Sequence, residues 1–220
     1  MDSVLKNNIN VKTVLLGTSN VGKSSLMNRY IHNRFDERDS APTIGVAFFH
    51  KIINKHSAKF DVAIWDSGGQ ERYRSLMPMY YRKSHLVFIC IDLNSISIIK
   101  DIYNWLDEVT NNTLEKPLIY IIGTKLDTID KSQETSIRNL VEKEFPEFPF
   151  YTTSSKYNIG IDKVFDNAMD NAIDNRYFSI INSPPSEPIR GSIDIDTIDL
   201  SSGNNSYYSS CIGSHSCILM

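Results

Sequence analysis

A short segment near the start of the chain has the residue types and spacing of a phosphate-binding loop. The residues GTSNVGKS occupy positions 17–24, after an apolar run that ends at Leu16 and at the start of a segment with helical spacing. They match the pattern G-x-x-x-x-G-K-[ST], in which backbone N–H groups and a helix N-terminus face the phosphates. Average residue frequencies would produce these four fixed positions by chance in roughly one chain in a hundred of this length. We therefore expect the loop to bind a phosphate chain.

Polar side chains at the end of this loop and after a later strand suit a nucleotide with a metal ion. The ammonium group of Lys23 would reach the β and γ phosphates, and the hydroxyl of Ser24 would coordinate Mg²⁺, which prefers oxygen ligands. Asp66 ends an apolar run in the segment WDSGGQE (65–71), which places its carboxylate near the metal, and the N–H of Gly69 could sense a γ phosphate. Taken alone, this segment is explained equally well as a glycine turn.

Two further loops could recognise the base. The tetrapeptide TKLD (124–127) follows an apolar run, and Asp127 can accept hydrogen bonds from the N1–H and N2–H₂ edge of guanine, a donor pair that adenine lacks. The tetrapeptide TSSK (153–156) follows the last predicted strand, where the N–H of Ser155 could donate to guanine O6. Each tetrapeptide alone is an ordinary strand-end loop. Both occur here in order, each at the end of a predicted strand where α/β sheets place ligands, and this joint occurrence favours a ligand site. An ATP-using enzyme is the alternative, and Asp127 argues against it.

The segments that would position these loops alternate between strand and helix patterns. Apolar and aromatic runs predict strands at residues 12–17, 47–54, 60–66, 86–92, 118–123 and 150–153. Helical spacing predicts helices at residues 23–31, 96–110, 132–145 and 161–173. This alternation predicts an α/β fold with a mostly parallel six-stranded sheet and helices on both faces. The closely spaced second and third strands predict a hairpin that contributes one antiparallel edge strand.

The bulk composition fits one globular domain and excludes several other classes. The chain has 220 residues, of which 41% are hydrophobic, and its net charge of -3 gives no electrostatic reason to expect a nucleic-acid partner. With three cysteines we expect no disulfide framework, and Cys90 lies in an apolar run as a core residue. No run approaches the roughly 18 apolar residues of a spanning helix, and the start lacks a secretory signal pattern. We therefore expect the chain to be made in the cytosol.

Over about residues 10–175 the chain resembles the Rab family of Ras-superfamily small GTPases. The resemblance rests on the stretches GTSNVGKSS, APTIGVAFF, WDSGGQERYRSLMPMYYR, GTKLD and TSSK. Ala47 and the run SLMPMYYR at 75–82 are similar to the early-endosomal Rab subgroup. The resemblance implies the fold of a phosphate-loop NTPase small G domain, with GTP or GDP and Mg²⁺ as ligands. It also implies a switch that regulates vesicle traffic.

The resemblance extends to particular site residues. Thr43 would join Ser24 and Asp66 around Mg²⁺, and Phe35 would pack on the guanine. The residues expected to contact the nucleotide are Gly17, Ser19, Asn20, Val21, Gly22, Lys23, Ser24, Ser25, Phe35, Thr43, Gly69, Thr124, Lys125, Asp127, Ser154, Ser155 and Lys156.

Hydrolysis would depend on Gln70, which the resemblance implies orients the attacking water, and on Lys23. An activating protein could add roughly 10³ to 10⁵ in rate, so we expect slow intrinsic turnover. The chain departs from the family pattern at Gly68, where alanine is usual, and at Thr124, where asparagine is usual. These departures leave open a second function, a GTP-binding scaffold with little intrinsic hydrolysis. The expected effector contacts are Ile44, Val46, Phe48, Trp65, Tyr80 and Tyr81, although Phe48 and Trp65 could equally be partly buried strand residues.

The domain organisation predicted from the sequence has three parts. Residues 1–10 form an N-terminal extension, residues 11–178 the GTPase domain, and residues 179–220 a disordered serine-rich tail. The sequence CILM at 217–220 fits the C-a-a-X pattern, which predicts a prenyl group on Cys217; the terminal Met favours farnesyl, and geranylgeranyl is the alternative. One lipid chain gives only marginal membrane binding, so palmitoylation of Cys211 would supply the second signal.

The family resemblance also implies partners and a location. We expect an exchange factor, a GTPase-activating protein, effectors and a prenyl-binding chaperone as partners of a monomeric chain. The lipid anchor would hold the protein on the cytoplasmic face of an intracellular membrane, with endosomes as the candidate compartment, and the protein would cycle with the cytosol.

Overall fold

Six strands form one sheet, and their order determines which loops meet. The computed structural model of the protein describes residues 8–37, 43, 45–56, 58–69 and 77–174. The strands are β1 (Asn8–Leu16), β2 (Val46–Lys55), β3 (Ala58–Ser67), β4 (Leu86–Asp92), β5 (Leu118–Thr124) and β6 (Phe150–Thr152). They lie in the order β2-β3-β1-β4-β5-β6; β2 and β3 are antiparallel, and all other neighbours are parallel. This confirms the predicted six-stranded sheet with one antiparallel edge strand.

Helices cover both faces of this sheet. The helices are α1 (Lys23–His32), α2 (Met77–Tyr81), α3 (Ile98–Asn112), α4 (Lys131–Glu144) and α5 (Ile161–Asp174). Val11 and Leu15 of β1 belong to a core cluster with α1 and α5, whereas Val14 and Leu16 belong to a second cluster with α2, α3 and α4. Alternate side chains of a strand point to opposite faces, so the two clusters are the two sides of the sheet. The predicted α/β architecture is therefore confirmed.

The central strands explain why the sheet could be predicted from apolar runs. The strand β4 reads LVFICID, and its first six residues are all buried because helices pack on both of its faces. The edge strand β2 instead alternates between exposed and partly buried residues. These patterns place the central parallel strands, and hence their C-terminal ends, in the rigid interior of the domain.

Two details differ from the sequence-based prediction. The strand β1 begins at Asn8 rather than at residue 12, because residues 8–10 pair with β3 through Lys59, Phe60 and Asp61. Residues 8–10 thus belong to the sheet and not to an N-terminal extension. The polar Asn8 and Asn10 obscured the strand pattern, although Ile9 between them packs on the core. The short helix α2 was not predicted, since five residues are too few to show helical spacing.

The described residues all belong to one unit of the chain, Met1–Pro185. Most of the predicted N-terminal extension and the predicted tail with Cys211 and Cys217 lie outside the described residues, so the domain boundaries stay predictions. Within the described ranges, no helix is long and apolar enough to cross a membrane.

Candidate nucleotide-binding site

The predicted site residues follow strands that end at the same edge of the sheet. The strands β1, β3, β4, β5 and β6 run parallel, so the loops that leave their C-terminal ends converge. The loop after β1 is the candidate phosphate-binding loop, β3 carries Asp66, and the two candidate base loops follow β5 and β6. This edge is where open α/β sheets bind ligands.

The phosphate-binding loop packs closely against the neighbouring strand β4. Gly17 has a φ angle of 150°, and a Cβ atom at this position would collide with the carbonyl oxygen of Cys90. Only glycine fits this approach, so the loop can turn directly from β1 into α1. Cys90 itself is fully buried, and this burial raises the pKa of its thiol to about 12.

Lys23 begins α1 and lies inside the loop. Its Nζ donates hydrogen bonds to the carbonyl oxygens of Gly17 at 2.8 Å and Thr18 at 2.9 Å, and the residue is only 5% exposed. Burial lowers the pKa of the ammonium group, and the nearby Cys90 and Asp66 partly offset this effect. A largely desolvated ammonium group interacts more strongly with an anion than one in water does.

Ser24, Thr43 and Asp66 bring three oxygen groups together. The Oγ of Ser24 donates to Asp66 Oδ2 at 2.5 Å and lies 2.7 Å from Thr43 Oγ1. Asp66 is completely buried, and within the described part of the chain its Oδ1 has no hydrogen-bond partner. Burial raises the pKa of this carboxyl group, while the bond from Ser24 and the charge of Lys23 oppose the rise.

This cluster fits a hard divalent cation. Two hydroxyl groups and a carboxylate supply the oxygen donors that Mg²⁺ prefers, and the unpartnered buried Oδ1 is an acceptor that a hydrated metal ion would satisfy. Among residues 8–37, 43, 45–56, 58–69 and 77–174, no group of three His, Cys, Asp or Glu side chains could hold a metal. Ser24, Thr43 and Asp66 are therefore the candidate Mg²⁺ residues.

The end of β3 also contacts the phosphate-binding loop. A Cβ atom at Gly69 would lie 2.5 Å from Ser19 N and from Thr18 O, which are backbone atoms with little freedom to move. One residue earlier, the N–H of Gly68 donates to Gly45 O at 2.7 Å. The segment after β3 thus joins the start of β2 to the loop.

The end of β5 also contacts the phosphate-binding loop. The buried hydroxyl of Thr124 hydrogen-bonds to Val21 O and lies 2.9 Å from Ile91 O. Lys125 pairs with Asp92, with 2.8 Å between Nζ and Oδ2. The threonine hydroxyl therefore joins β5, the end of β4 and the phosphate-binding loop.

Asp127 lies in a short 3-10 helix, Leu126–Thr128, with its side chain held by the other base loop. The Oγ of Ser154 donates to Asp127 Oδ1 at 2.5 Å, and Ser154 is fully buried although Asp127 is exposed. Ser155 follows with 9% exposure. The two candidate base loops thus form one unit that can present a carboxylate and a backbone N–H together.

Arg29 of α1 also belongs to this region, although no sequence motif includes it. Its guanidinium donates to the carbonyl oxygens of Ser155 and Lys156. Lys156 Nζ also pairs with Glu37 Oε1 at 2.5 Å. A basic residue in the last turn of a helix is ordinary, so only the pairing with the distant base loop could have identified Arg29.

The remaining residues predicted at the nucleotide site differ in their exposure and position. Ser19 and Asn20 are exposed, whereas Phe35, which follows α1, is half-buried. Gln70 lies outside the described residues. Gly22 and Ser25 lie at the start of α1, next to Lys23 and Ser24.

The predicted effector contacts that the structure describes differ in exposure: Phe48 is exposed, Val46, Trp65 and Tyr80 are partly buried, and Tyr81 is fully buried. Trp65 packs between Phe48 and Tyr80, at ring distances of 5.0 and 5.8 Å, and Phe48 is 50% exposed. Tyr81 was predicted wrongly as a surface contact. It is fully buried because α2 turns it toward α3, where its hydroxyl donates to Glu108 O at 3.5 Å. Val46 is partly buried against the same core cluster, and Ile44 lies outside the described residues.

Comparison with known proteins finds relatives of this chain in one family. A model of the Ras family matches residues 12–174. The chain is 34% identical to Ras-related protein Rab5 of Nicotiana tabacum over 165 residues, which cover 75% of this chain and 82% of the relative. It is 33% identical to Ras-related protein Rab-22A of Homo sapiens over 161 residues, covering 70% and 79%. GTP-binding protein YPT52 of Saccharomyces cerevisiae is 40% identical over 136 residues, covering 56% of each chain.

These relatives confirm the resemblance to the Rab family and to its early-endosomal subgroup. Members of this family bind guanine nucleotides and hydrolyse GTP, and the six-stranded domain has the expected fold. The chain belongs to the Ras family of small GTPases, within its Rab branch.

Proposed function

We propose that the chain is a Rab switch that binds GTP with Mg²⁺ at the described edge of the sheet, hydrolyses GTP slowly and regulates vesicle traffic on an endosomal membrane. The observation that carries this proposal is the cluster in which Ser24 donates to the buried Asp66 beside Thr43. Ser24 of this cluster directly follows Lys23, so a phosphate chain and its metal could be held together.

The residues of the phosphate end would act mainly by position and charge. Lys23 would stabilise negative charge on the phosphates from a site with little competing water. Ser24 and Thr43, with Asp66 behind them, would hold Mg²⁺, which neutralises phosphate charge when bound. Thr43 and the N–H of Gly69 would contact the γ phosphate, and loss of that phosphate would release their loops.

Base recognition would come from the loops after β5 and β6. The carboxylate of Asp127, held by Ser154, would accept from guanine N1–H and N2–H₂. The N–H of Ser155 would donate to guanine O6. Phe35 would pack on the guanine, as the family resemblance implies, and Lys125 would also contact the nucleotide.

Single-turnover hydrolysis of bound GTP tests the enzymatic part of this proposal. We expect a slow reaction in the purified protein and a further loss of about tenfold or more in Gln70→Leu, because the attacking water loses its positioning group. Nucleotide content, measured by chromatography, must remain the same in both proteins. An unchanged rate in Gln70→Leu would remove the switch mechanism.

The same measurement decides between the switch and a GTP-binding scaffold. Gly68 is the residue that favours the scaffold, since glycine adds backbone freedom immediately before Gly69. If the wild-type chain retains GTP and Gly68→Ala restores hydrolysis, the scaffold describes the natural protein better. If both hydrolyse GTP at similar slow rates, the switch is supported.

Membrane attachment is a separate part of the proposal. Cys217 would carry a prenyl group and Cys211 a palmitoyl group, provided that the chain ends at Met220. Imaging of a tagged chain beside Cys217→Ser tests this directly. We expect the wild type on endosomal membranes and the variant dispersed in the cytosol.

Effectors would bind a surface formed by Phe48, Trp65 and Tyr80. The three rings pack in sequence, and Phe48 exposes half of its side chain, so an apolar segment of a partner could cover them. Exchange factor, activating protein and prenyl-binding chaperone are further partners that membership of the Rab branch favours.

A further inference from the structure

Arg29 joins the helix that begins at the phosphate-binding loop to the candidate base loop after β6. Its Nε donates to Ser155 O at 2.8 Å, and its NH2 group donates to Lys156 O at 3.2 Å. The remaining NH1 group donates to Asn33 O at 3.0 Å and to Asn33 Oδ1 at 3.1 Å. One side chain thus bonds both to the end of its own helix and to two successive carbonyl groups of a loop more than a hundred residues away.

Hydrogen bonds to Asn33, at the end of α1, fix the position of the Arg29 guanidinium. Asn33 caps the helix in the left-handed conformation, with a φ angle of 51°, and its N–H donates to Arg29 O at 3.0 Å. The side chain and carbonyl of Asn33 then accept from Arg29 NH1. Because a guanidinium is planar and its donors have fixed directions, this contact also sets the direction of its Nε and NH2 donors.

Hydrogen bonds fix the two peptide planes on either side of Ser155. The N–H of Ser155 shares its peptide plane with the carbonyl group of Ser154, which accepts from the N–H of Ile159 at 2.9 Å. On the other side, the carbonyl group of Ser155 accepts from Arg29. Ser155 is therefore fixed at both of its peptide planes, and Arg29 supplies one of the two bonds.

The helix α1 also fixes the separation between the two ends of the site. Ser24 lies in its first turn and Arg29 lies five residues later, about 7.5 Å along the axis at a rise of about 1.5 Å per residue. A nucleotide that binds both ends must span the distance that this rigid helix sets. Arg29 is thus placed to align the base loop with the phosphate-binding loop.

We propose that Arg29 is a positioning residue for guanine recognition, which holds the loop at 153–156 so that the N–H of Ser155 points at guanine O6. The proposal rests on the base contacts given under the proposed function. Arg29 itself does not contact the nucleotide in this account. Replacement of Arg29 should therefore mainly weaken the hydrogen bond between the N–H of Ser155 and guanine O6.

The second contact to this loop provides a matched control. Lys156 Nζ pairs with Glu37 Oε1, and both side chains are well exposed, at 40% and 64%. Exposed ion pairs of this kind contribute little because water screens them. Glu37→Gln therefore removes a contact to the same loop without changing the peptide planes around Ser155.

The test measures the dissociation constants of GDP and of 6-thio-GDP, in which a weakly accepting sulfur replaces O6 while the donor edge for Asp127 remains. Wild type and Glu37→Gln should prefer GDP. Arg29→Gln should bind GDP about tenfold more weakly and 6-thio-GDP nearly as well as wild type does, so that the preference is lost. Arg29→Lys, which offers one compact ammonium group, should give an intermediate preference and serves if Arg29→Gln does not fold.

Two other outcomes would contradict either the positioning role of Arg29 or the proposed contact from Ser155 to guanine O6. If the Arg29 variants weaken both nucleotides equally, or neither, Arg29 has a general structural role and the proposal is wrong. If wild type binds GDP and 6-thio-GDP equally, the contact from Ser155 to O6 is wrong, and the failure belongs to the proposed base recognition.

Discussion

The hydroxyl of Thr124 hydrogen-bonds to the carbonyl oxygen of Val21, so the end of β5 holds the phosphate-binding loop directly. The same hydroxyl lies 2.9 Å from Ile91 O, and the residue is 2% exposed. A threonine at this position, where the family usually has asparagine, therefore still joins the base side of the site to the phosphate side.

Replacing this hydroxyl should loosen the nucleotide. Thr124→Val keeps the shape but leaves the carbonyl oxygen of Val21 without its hydroxyl donor, which costs about 1–3 kcal/mol in a buried setting. We expect GDP to dissociate about tenfold faster, as followed with a fluorescent GDP analogue. Thr124→Ser keeps the hydroxyl and should release GDP at nearly the wild-type rate. Equal rates in all three proteins would mean that the bond has no role in retaining nucleotide.

Removal of the metal should act through Asp66. In the wild type, chelation of Mg²⁺ with EDTA should accelerate GDP release, because the phosphates lose a neutralising charge. Asp66→Asn keeps an acceptor for Ser24 but lacks the carboxylate charge, so we expect metal affinity to fall about 10- to 100-fold. The variant should release GDP rapidly with or without EDTA. Asp61→Asn, at an exposed position of the same strand, is the control and should respond to EDTA like the wild type.

A methyl group at Gly69 should separate GTP binding from GDP binding. In Gly69→Ala the new Cβ would lie 2.5 Å from Ser19 N, so the backbone after β3 must move away from the phosphate-binding loop. Because only GTP places a γ phosphate near Gly69, we expect GTP affinity to fall about tenfold relative to GDP affinity. Calorimetric titration of both nucleotides measures this ratio, and an unchanged ratio would refute a γ phosphate contact at this residue.

Acid should destabilise the domain through His85, which immediately precedes β4. Its Nδ1 accepts from the N–H of Lys12 at 2.8 Å, and burial together with the charge of Lys12 lowers the pKa of His85 to about 4. The unfolded chain binds a proton to this histidine near pH 6.5 and the folded chain near pH 4, so stability is present above pH 6.5 and is lost as the pH falls to 4.

The shift corresponds to a loss of about 3 kcal/mol over this pH range. His85→Asn can keep an acceptor for the N–H of Lys12 but does not titrate, so its free energy of unfolding should fall less steeply between pH 6.5 and 4. Urea unfolding at a series of pH values measures the two slopes. Parallel slopes would show that His85 is not the responsible group.

The sequence could predict the sheet and most of the candidate site because their signals are local. Each site loop follows a recognisable apolar strand, and parallel strands bring such loops to one edge, so Asp66 and Thr124 could be placed near Lys23 without coordinates. The apolar run of β4 marks a strand that is buried on both faces.

The features that were missed depend on contacts between distant segments. Nothing near Arg29 in the sequence indicates that it bonds to Ser155, 126 positions later. Asn8 joins the sheet because β3 offers backbone partners, which the residue type at position 8 does not reveal. The burial of Tyr81 results from the way in which α2 packs on the core, which a five-residue helix does not reveal by pattern.

We propose that this edge of the sheet recognises guanine through Asp127. The sharpest test compares nucleotides that carry different bases. Affinities for GTP and xanthosine triphosphate should be measured for wild type and Asp127→Asn, because xanthine presents a carbonyl group where guanine presents N2–H₂. The account predicts that the variant loses at least about 100-fold in GTP affinity and comes to prefer xanthosine triphosphate. Unchanged GTP binding in Asp127→Asn would contradict it.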